Sequence, residues 1–145
     1  MEAAITRLIP VPEIAPAELA ARLAAPGPRP LVLFDVREPA EHAQSRIPGA
    51  ILLDPRLDAA GFAARHGAAV RGADVVFACA VGWRSGVMLR RVREAVAASG
   101  PASMANLRGG IFRWHAEGRP IEGGATVHHF DDAWGALLRR TLRQG

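Results

Sequence analysis

Short apolar runs alternate with helical patterns along most of the chain, and this alternation limits the possible folds more than any other feature. Three continuous apolar runs, over residues 31–35, 50–53 and 74–79, are predicted to be strands buried on both faces of a sheet, and residues 103–106 form a shorter and weaker candidate strand. Helical patterns precede and separate them, over residues 17–25, 39–44, 58–65, 85–98 and 111–117. This order predicts an α/β domain with a mostly parallel sheet that helices cover on both faces.

The pattern changes after Pro120. The next three residues, Glu122-Gly123-Gly124, are typical of a linker. Beyond them the spacing predicts an amphipathic helix whose apolar face carries Phe130, Trp134, Leu137, Leu138 and Leu142. We therefore expect one domain over residues 1–121 and a C-terminal extension over residues 122–145. The extension either packs on its own domain or binds a partner.

Composition excludes several classes of protein. A chain of 145 residues can bury the core of one domain, and its one cysteine, Cys79, excludes an intramolecular disulfide and a cysteine-rich metal cluster. The net charge of +4 is dispersed, which argues against a nucleic-acid partner. No apolar stretch matches a signal peptide or a membrane span, so we expect a cytoplasmic protein without a membrane partner. His128-His129 lacks further ligands at metal-site spacing, so no metal site is expected.

Cys79 ends a predicted buried strand, at the edge of the sheet where open α/β folds bind ligands. The turn that follows contains Gly82 and leads to a helix predicted to begin at about Ser85. Its backbone N–H groups can form a concave anion site beside the helix N-terminus, and Arg84 adds a positive charge. Each of these features favours the thiolate, which is the nucleophilic form of cysteine. The alternative is a buried cysteine without chemistry.

A thiolate in an anion-binding loop serves two kinds of enzyme, because protein phosphatases and sulfur-transfer enzymes both need such a nucleophile. Phosphatase loops of this type are longer between cysteine and arginine, as a phosphate tetrahedron requires. Only four residues separate Cys79 from Arg84. The short loop favours sulfur transfer over a phosphatase or an arsenate reductase.

Five segments, in this order, resemble the single-domain rhodanese-like sulfurtransferase family. They are LVLFDVREP at residues 31–39 with Glu41-His42 behind it, IPGA at 47–50, CAVGWRS at 79–85, NLRGGI at 106–111 and WHAEGRPI at 114–121. The resemblance covers about residues 14–121 and implies a parallel sheet of about five strands flanked by helices. It also implies that Cys79 becomes a persulfide and that the loop amides bind the transferred sulfur and the anionic donor. The substrate-binding residues implied in this way are Ala80, Val81, Gly82, Trp83, Arg84 and Ser85.

The resemblance implies an enzyme of the thiosulfate sulfurtransferase type. Such an enzyme moves a sulfane sulfur from a donor, such as thiosulfate or a persulfide, to cyanide or a thiol, and a protein acceptor is an alternative. No metal or organic cofactor is required. Asp35 and Arg37 are implied to form a mainly structural motif that supports the site at the end of the first core strand.

Two residues depart from the pattern of the family. Arg46 stands where the family often has histidine, and it forms a salt bridge, binds anions or is simply an exposed charge near a turn. Trp83 occupies a loop position where small or polar residues are common, so it is expected to shield the persulfide, narrow the entrance or contact a partner. An alternative function follows from the second departure: a non-catalytic or regulatory binding module that recruits a partner through Trp83 and the C-terminal helix.

Overall fold

The computed structural model describes residues 1–98 and 100–124. Its helices are α1 (Glu2–Leu8), α2 (Pro16–Ala24), α3 (Pro39–Gln44), α4 (Ala59–Val70), α5 (Trp83–Ala97) and α6 (Gly110–Ala116). Its strands are β1 (Glu13–Ile14), β2 (Leu31–Asp35), β3 (Ser45–Arg46), β4 (Ile51–Leu52), β5 (Asp74–Ala78), β6 (Ser103–Leu107) and β7 (Glu122–Gly123). The expectation of an α/β domain is confirmed.

Five of these strands form one parallel sheet in the order β1-β6-β5-β2-β4, with β5 at its centre. The pairing of β2 with β5 runs from Leu31 opposite Asp74 to Asp35 opposite Ala78. Because strand side chains alternate between the two faces, this register places two sets of apolar residues on opposite sides of the sheet. The expected sheet of about five parallel strands is confirmed.

Helices cover both faces, as predicted. On one face α4 and α5 pack on a cluster of aromatic rings, in which Phe34 lies 5.5 Å from both Phe62 and Phe77 between ring centroids. On the other face Leu19 of α2 and Trp114 of α6 pack with apolar residues of β2 and β5. The two layers fix the ends of β2 and β5, which is where the candidate site lies.

The predicted elements differ from the structure mainly in their ends. The helix predicted over residues 58–65 continues to Val70, because Gly67 is buried within α4 rather than ending it. The strand predicted over residues 50–53 shortens to Ile51–Leu52 at the edge of the sheet. The most consequential difference is at α5, which begins at Trp83 instead of about Ser85.

The segment expected to be a linker begins as a strand. β7 pairs antiparallel with β3, and Arg46 of β3 forms a salt bridge of 3.4 Å with Glu122. Arg46 thus forms a salt bridge, which is one of the roles expected for it. The expected C-terminal amphipathic helix and the His128-His129 pair lie outside the described residues, and the division at residue 121 stays a prediction.

Within residues 1–98 and 100–124, no helix has the length and apolar character needed to cross a membrane.

Candidate active site

Cys79 follows the last residue of β5, at the carboxyl edge of the central strand, and only 1% of its surface is exposed. The start of α6 holds this position. Ile111 and Phe112 donate backbone hydrogen bonds of 2.9 and 3.0 Å to the carbonyl oxygens of Cys79 and Ala80. Gly110 makes that approach possible, since a Cβ there would collide with both carbonyl oxygens.

The loop after Cys79 is tight because Gly82 adopts a φ of +102° and caps the N-terminus of α5. Its backbone N–H donates a hydrogen bond of 3.1 Å to Cys79 Sγ. Three of the expected binding residues, Trp83, Arg84 and Ser85, therefore belong to the first turn of α5 rather than to a loop. The N–H groups of a first turn have no acceptor within the helix, so they are available to an anion.

Ser85 connects the sulfur to a buried amide. Its hydroxyl oxygen lies 3.3 Å from Cys79 Sγ and 2.6 Å from Asn106 Oδ1, while Asn106 Nδ2 donates a 3.0 Å hydrogen bond to the carbonyl oxygen of Gly82. A hydroxyl has a single proton, so Ser85 donates to either the amide or the sulfur at one time. When the Ser85 hydroxyl donates to Asn106 Oδ1, its oxygen can accept a hydrogen bond from the Cys79 thiol. When the hydroxyl rotates its proton towards the sulfur, it donates to the Cys79 thiolate.

Arg84 forms a two-pronged ion pair with Glu41 of α3, with N–O distances of 2.7 and 3.0 Å. Burial raises the pKa of the Glu41 carboxyl, but the hydrogen bond and charge of Arg84 outweigh burial and hold this pKa below its usual value. Burial lowers the pKa of Arg84, whereas Glu41 and the charge of Cys79 raise it, with a net upward shift. The positive charge that the sequence places beside the thiol is thus partly balanced, and the pair ties α3 to the loop.

Asp35 and Arg37 form a second buried ion pair beneath the loop. Arg37 donates hydrogen bonds of 2.7 and 2.8 Å to the two carboxylate oxygens of Asp35, and one of 2.6 Å to the carbonyl oxygen of Ser45. His42 Nδ1 lies 2.8 Å from Asp35 Oδ2. These bonds link β2 to α3 and β3, and Asp35 also borders a small cavity of about 10 Å³ that Cys79 lines.

The structure brings Gly82 and Ser85 to hydrogen-bonding distance of Cys79 Sγ, and it places Arg84 between them in sequence, in the first turn of α5, where it pairs with Glu41. Ala80 is buried, and its contact is with α6 through its carbonyl group. Val81 and Trp83 instead line an apolar cavity on the outer side of the loop.

Sequence reasoning missed two residues of the site. Glu41 and Asn106 appear in the motifs, but no site role was expected of either. The signal for Asn106 was a polar residue near the carboxyl end of a predicted buried strand, where an amide needs a polar partner. The signal for Glu41 was its position three residues after Glu38, at the start of a helix, which is where capping carboxylates occur.

Comparison with known proteins supports the family resemblance of the five sequence segments described above. The family model described as the rhodanese-like domain matches residues 15–117. None of the curated proteins matches the chain significantly in sequence.

Solved structures share the fold at low sequence identity. A rhodanese-related protein from Thermoplasma volcanium is 22% identical, with a TM-score of 0.58, over 77% of this chain and 97% of that one. A protein from Bacillus halodurans is 16% identical, with a TM-score of 0.63, over 93% of this chain and 94% of that one. A thiosulfate sulfurtransferase from Pseudomonas aeruginosa is 20% identical, with a TM-score of 0.59, over 91% of this chain but 25% of that one.

The family model spans four strands of the parallel sheet, β2, β4, β5 and β6, together with the whole Cys79 loop. Because this match covers well over half of the chain, the protein belongs to the rhodanese-like domain family.

Proposed function

We propose that the protein is a sulfurtransferase that carries a sulfane sulfur on Cys79 as a persulfide. The donor is thiosulfate or another small anionic sulfane compound, and the acceptor is cyanide or a thiol. One observation carries the proposal: the Gly82 N–H and the Ser85 hydroxyl lie 3.1 and 3.3 Å from Cys79 Sγ, at the N-terminus of α5. Membership in the rhodanese-like family supports the same chemistry.

In the first half of the cycle the Cys79 thiolate attacks the outer sulfur of thiosulfate. A bond forms between Sγ and that sulfur, the S–S bond of thiosulfate breaks, and sulfite leaves with the electron pair. The negative outer sulfur of the persulfide then lies where the N–H groups at the start of α5 stabilise it.

In the second half the acceptor attacks the outer sulfur. The Cys79 S–S bond breaks and its electron pair returns to Sγ, so cyanide leaves as thiocyanate and the thiolate is restored. The Gly82 N–H and the Ser85 hydroxyl stabilise the charge that returns to Sγ. Every atom and charge balances between donor, acceptor and Cys79, so the proposed cycle needs no cofactor. We assign the protein to the cytoplasm, a reducing compartment in which a lone thiol stays available.

Mass spectrometry of the intact chain tests the proposal. After incubation with thiosulfate and with a set of organic persulfides and thiosulfonates, we expect a mass increase of one sulfur atom that reductant removes and that Cys79→Ser abolishes. No increase with any donor would contradict the proposal. A Cys79→Ser variant with full biological activity would instead favour the alternative, a binding module that uses Trp83.

A further inference from the structure

An apolar cavity of about 430 Å³ opens beside the Cys79 loop. Ile5 and Leu8 of α1 form one wall, and Val81, Trp83 and Arg84 form the other. Leu8 is 62% exposed and Trp83 is 45% exposed, which are high fractions for large apolar side chains. Two such side chains facing one cavity mark it as a binding surface rather than as part of the core.

The cavity lies beside the loop that follows the reacting group, since Ala80 and Val81, the two residues after Cys79, line it. Trp83 and Arg84, which also line the cavity, directly follow Gly82, whose backbone N–H donates a hydrogen bond of 3.1 Å to the Cys79 sulfur. A volume of this size lies in the range of small-molecule sites and is much smaller than a folded partner.

The α1 wall of the cavity is held in place by polar contacts. Glu2 forms an ion pair of 2.8 Å with Arg113 of α6, and the Thr6 hydroxyl lies 3.0 Å from the Glu13 carboxylate of β1. Because both contacts anchor the helix to the domain, the cavity exists before any ligand binds. A preformed cavity costs less conformational entropy to fill.

The side chains that line the cavity determine which kind of ligand binds there favourably. A small inorganic anion gains nothing from apolar walls and loses hydration there. Arg84 pairs with Glu41, and the other side chains that line the cavity are apolar. A hydrocarbon group, in contrast, gains free energy from each carbon that leaves water.

We propose that this cavity binds the hydrocarbon part of the sulfur acceptor, and that the acceptor is a thiol with an alkyl or aryl substituent. The inference rests on the proposed function. The acceptor thiolate attacks the outer sulfur of the Cys79 persulfide, an S–S bond forms between them, and the Cys79 S–S bond breaks with its electron pair on Sγ. The product is the hydropersulfide of the acceptor, and the Cys79 thiolate is regenerated.

A chain-length series tests the inference. Propane-, butane-, pentane- and hexanethiol have nearly the same intrinsic reactivity, so differences in kcat/KM report binding of the chain. We expect kcat/KM to rise about two- to fourfold per methylene, or roughly tenfold or more from propanethiol to hexanethiol. A flat series, or a preference for 2-mercaptoethanesulfonate, would overturn the inference.

Matched leucine variants test whether the gain in kcat/KM per methylene arises in this cavity. Leu8→Ser removes an apolar wall of the cavity and is expected to reduce the gain per methylene, and Trp83→Ala is expected to do the same. Leu23→Ser changes an exposed leucine on α2, which is 37% exposed, and is expected to leave the gain as it is. The gain per methylene is a ratio of two kcat/KM values measured on the same variant. A general loss of activity lowers both values equally and therefore cancels from the ratio. An equal gain in wild type, Leu8→Ser and Trp83→Ala would overturn the assignment to this cavity.

A binding measurement separates this inference from the proposed function. Hexanesulfonate cannot accept sulfur, and titration calorimetry with the full chain measures its affinity without turnover. Weaker binding to Leu8→Ser than to Leu23→Ser supports the cavity even if no persulfide forms on Cys79. Equal binding to both variants overturns it even if Cys79 is persulfidated normally.

Discussion

Replacing Ser85 by alanine is a sharp test of how the loop stabilises charge on sulfur. The substitution removes a buried hydroxyl that lies 3.3 Å from Cys79 Sγ and 2.6 Å from Asn106 Oδ1. Two separate effects follow. The sulfur loses the hydrogen bond that the Ser85 hydroxyl can donate, and Asn106 Oδ1 loses a partner in a buried position.

Each effect has its own magnitude. Removal of one donor from an oxyanion site lowers rates about 100- to 1,000-fold, but a 3.3 Å contact to a large, diffuse sulfur is weaker. We therefore expect Ser85→Ala to slow persulfide formation about tenfold, which corresponds to about 1.4 kcal/mol of activation free energy. Leaving the Asn106 oxygen unpaired is expected to lower the free energy of unfolding by about 1–3 kcal/mol.

The two effects are measured separately. Single-turnover reaction with thiosulfate, followed by rapid quench and mass spectrometry, gives the rate of persulfide formation on folded protein. Urea unfolding gives the free energy of unfolding. Ser103→Ala is the matched control, because Ser103 is exposed and donates a 2.7 Å hydrogen bond to Asp74 Oδ1. We expect Ser103→Ala to change neither the activation free energy of persulfide formation nor the free energy of unfolding by more than about 1 kcal/mol.

The comparison of the two serine variants separates a catalytic from a structural role of the Ser85 hydroxyl. If Ser85→Ala lowers the free energy of unfolding but forms the persulfide as fast as Ser103→Ala, the hydroxyl supports the fold alone. The idea that Ser85 stabilises charge on Cys79 would then be wrong.

Two further substitutions test the supports of the loop. Glu41→Gln removes the carboxylate that pairs with Arg84, and we expect a loss of about 2 kcal/mol in the free energy of unfolding at pH 7. Folding lowers the pKa of Glu41, so its contribution is complete above the unfolded value of about 4.5 and disappears as the pH falls through the folded value. The difference between wild type and Glu41→Gln in urea unfolding should therefore shrink as the pH falls below about 4.5, and a difference that stays constant on further acidification would contradict this explanation. Gly110→Ala places a Cβ against the carbonyl oxygen of Cys79, whereas Gly118→Ala has open space at a similar positive φ. We expect about 1 kcal/mol of destabilisation at Gly118 and at least about 2 kcal/mol more at Gly110, measured by thermal unfolding, and equal losses would show that α6 does not press on the loop.

The central strands are predictable from sequence because their apolar runs leave few alternatives. The run at residues 31–35 matches β2 at both ends, and the run at residues 74–79 differs from β5 by one residue. β1 shows the opposite case. It has two residues and no periodicity, and it lies beside β6 through backbone bonds such as that from Asn106 N–H to the Pro12 carbonyl oxygen, 2.8 Å.

The residues of the site likewise differ in how far the sequence predicts them. Cys79 and its glycine-containing loop are recognisable locally, because a strand end, a turn and a helix start are adjacent in sequence. The contributions of Glu41 and Asn106 depend on tertiary contacts instead. Arg84 and Glu41 are 43 residues apart, and Ser85 and Asn106 are 21 residues apart. No single-sequence pattern specifies which carboxylate or amide comes to meet the loop, so those partners required the fold.

In the proposed cycle Cys79 carries the sulfur between donor and acceptor. Thiosulfate labelled at its outer sulfur tests this role, because the label can be followed first on the chain and then in the acceptor product. We expect one labelled sulfur per chain on Cys79 before the acceptor is added, and transfer of that label to the acceptor afterwards. A labelled product from the Cys79→Ser variant, or a Cys79 that stays unlabelled with active donor, would contradict this role.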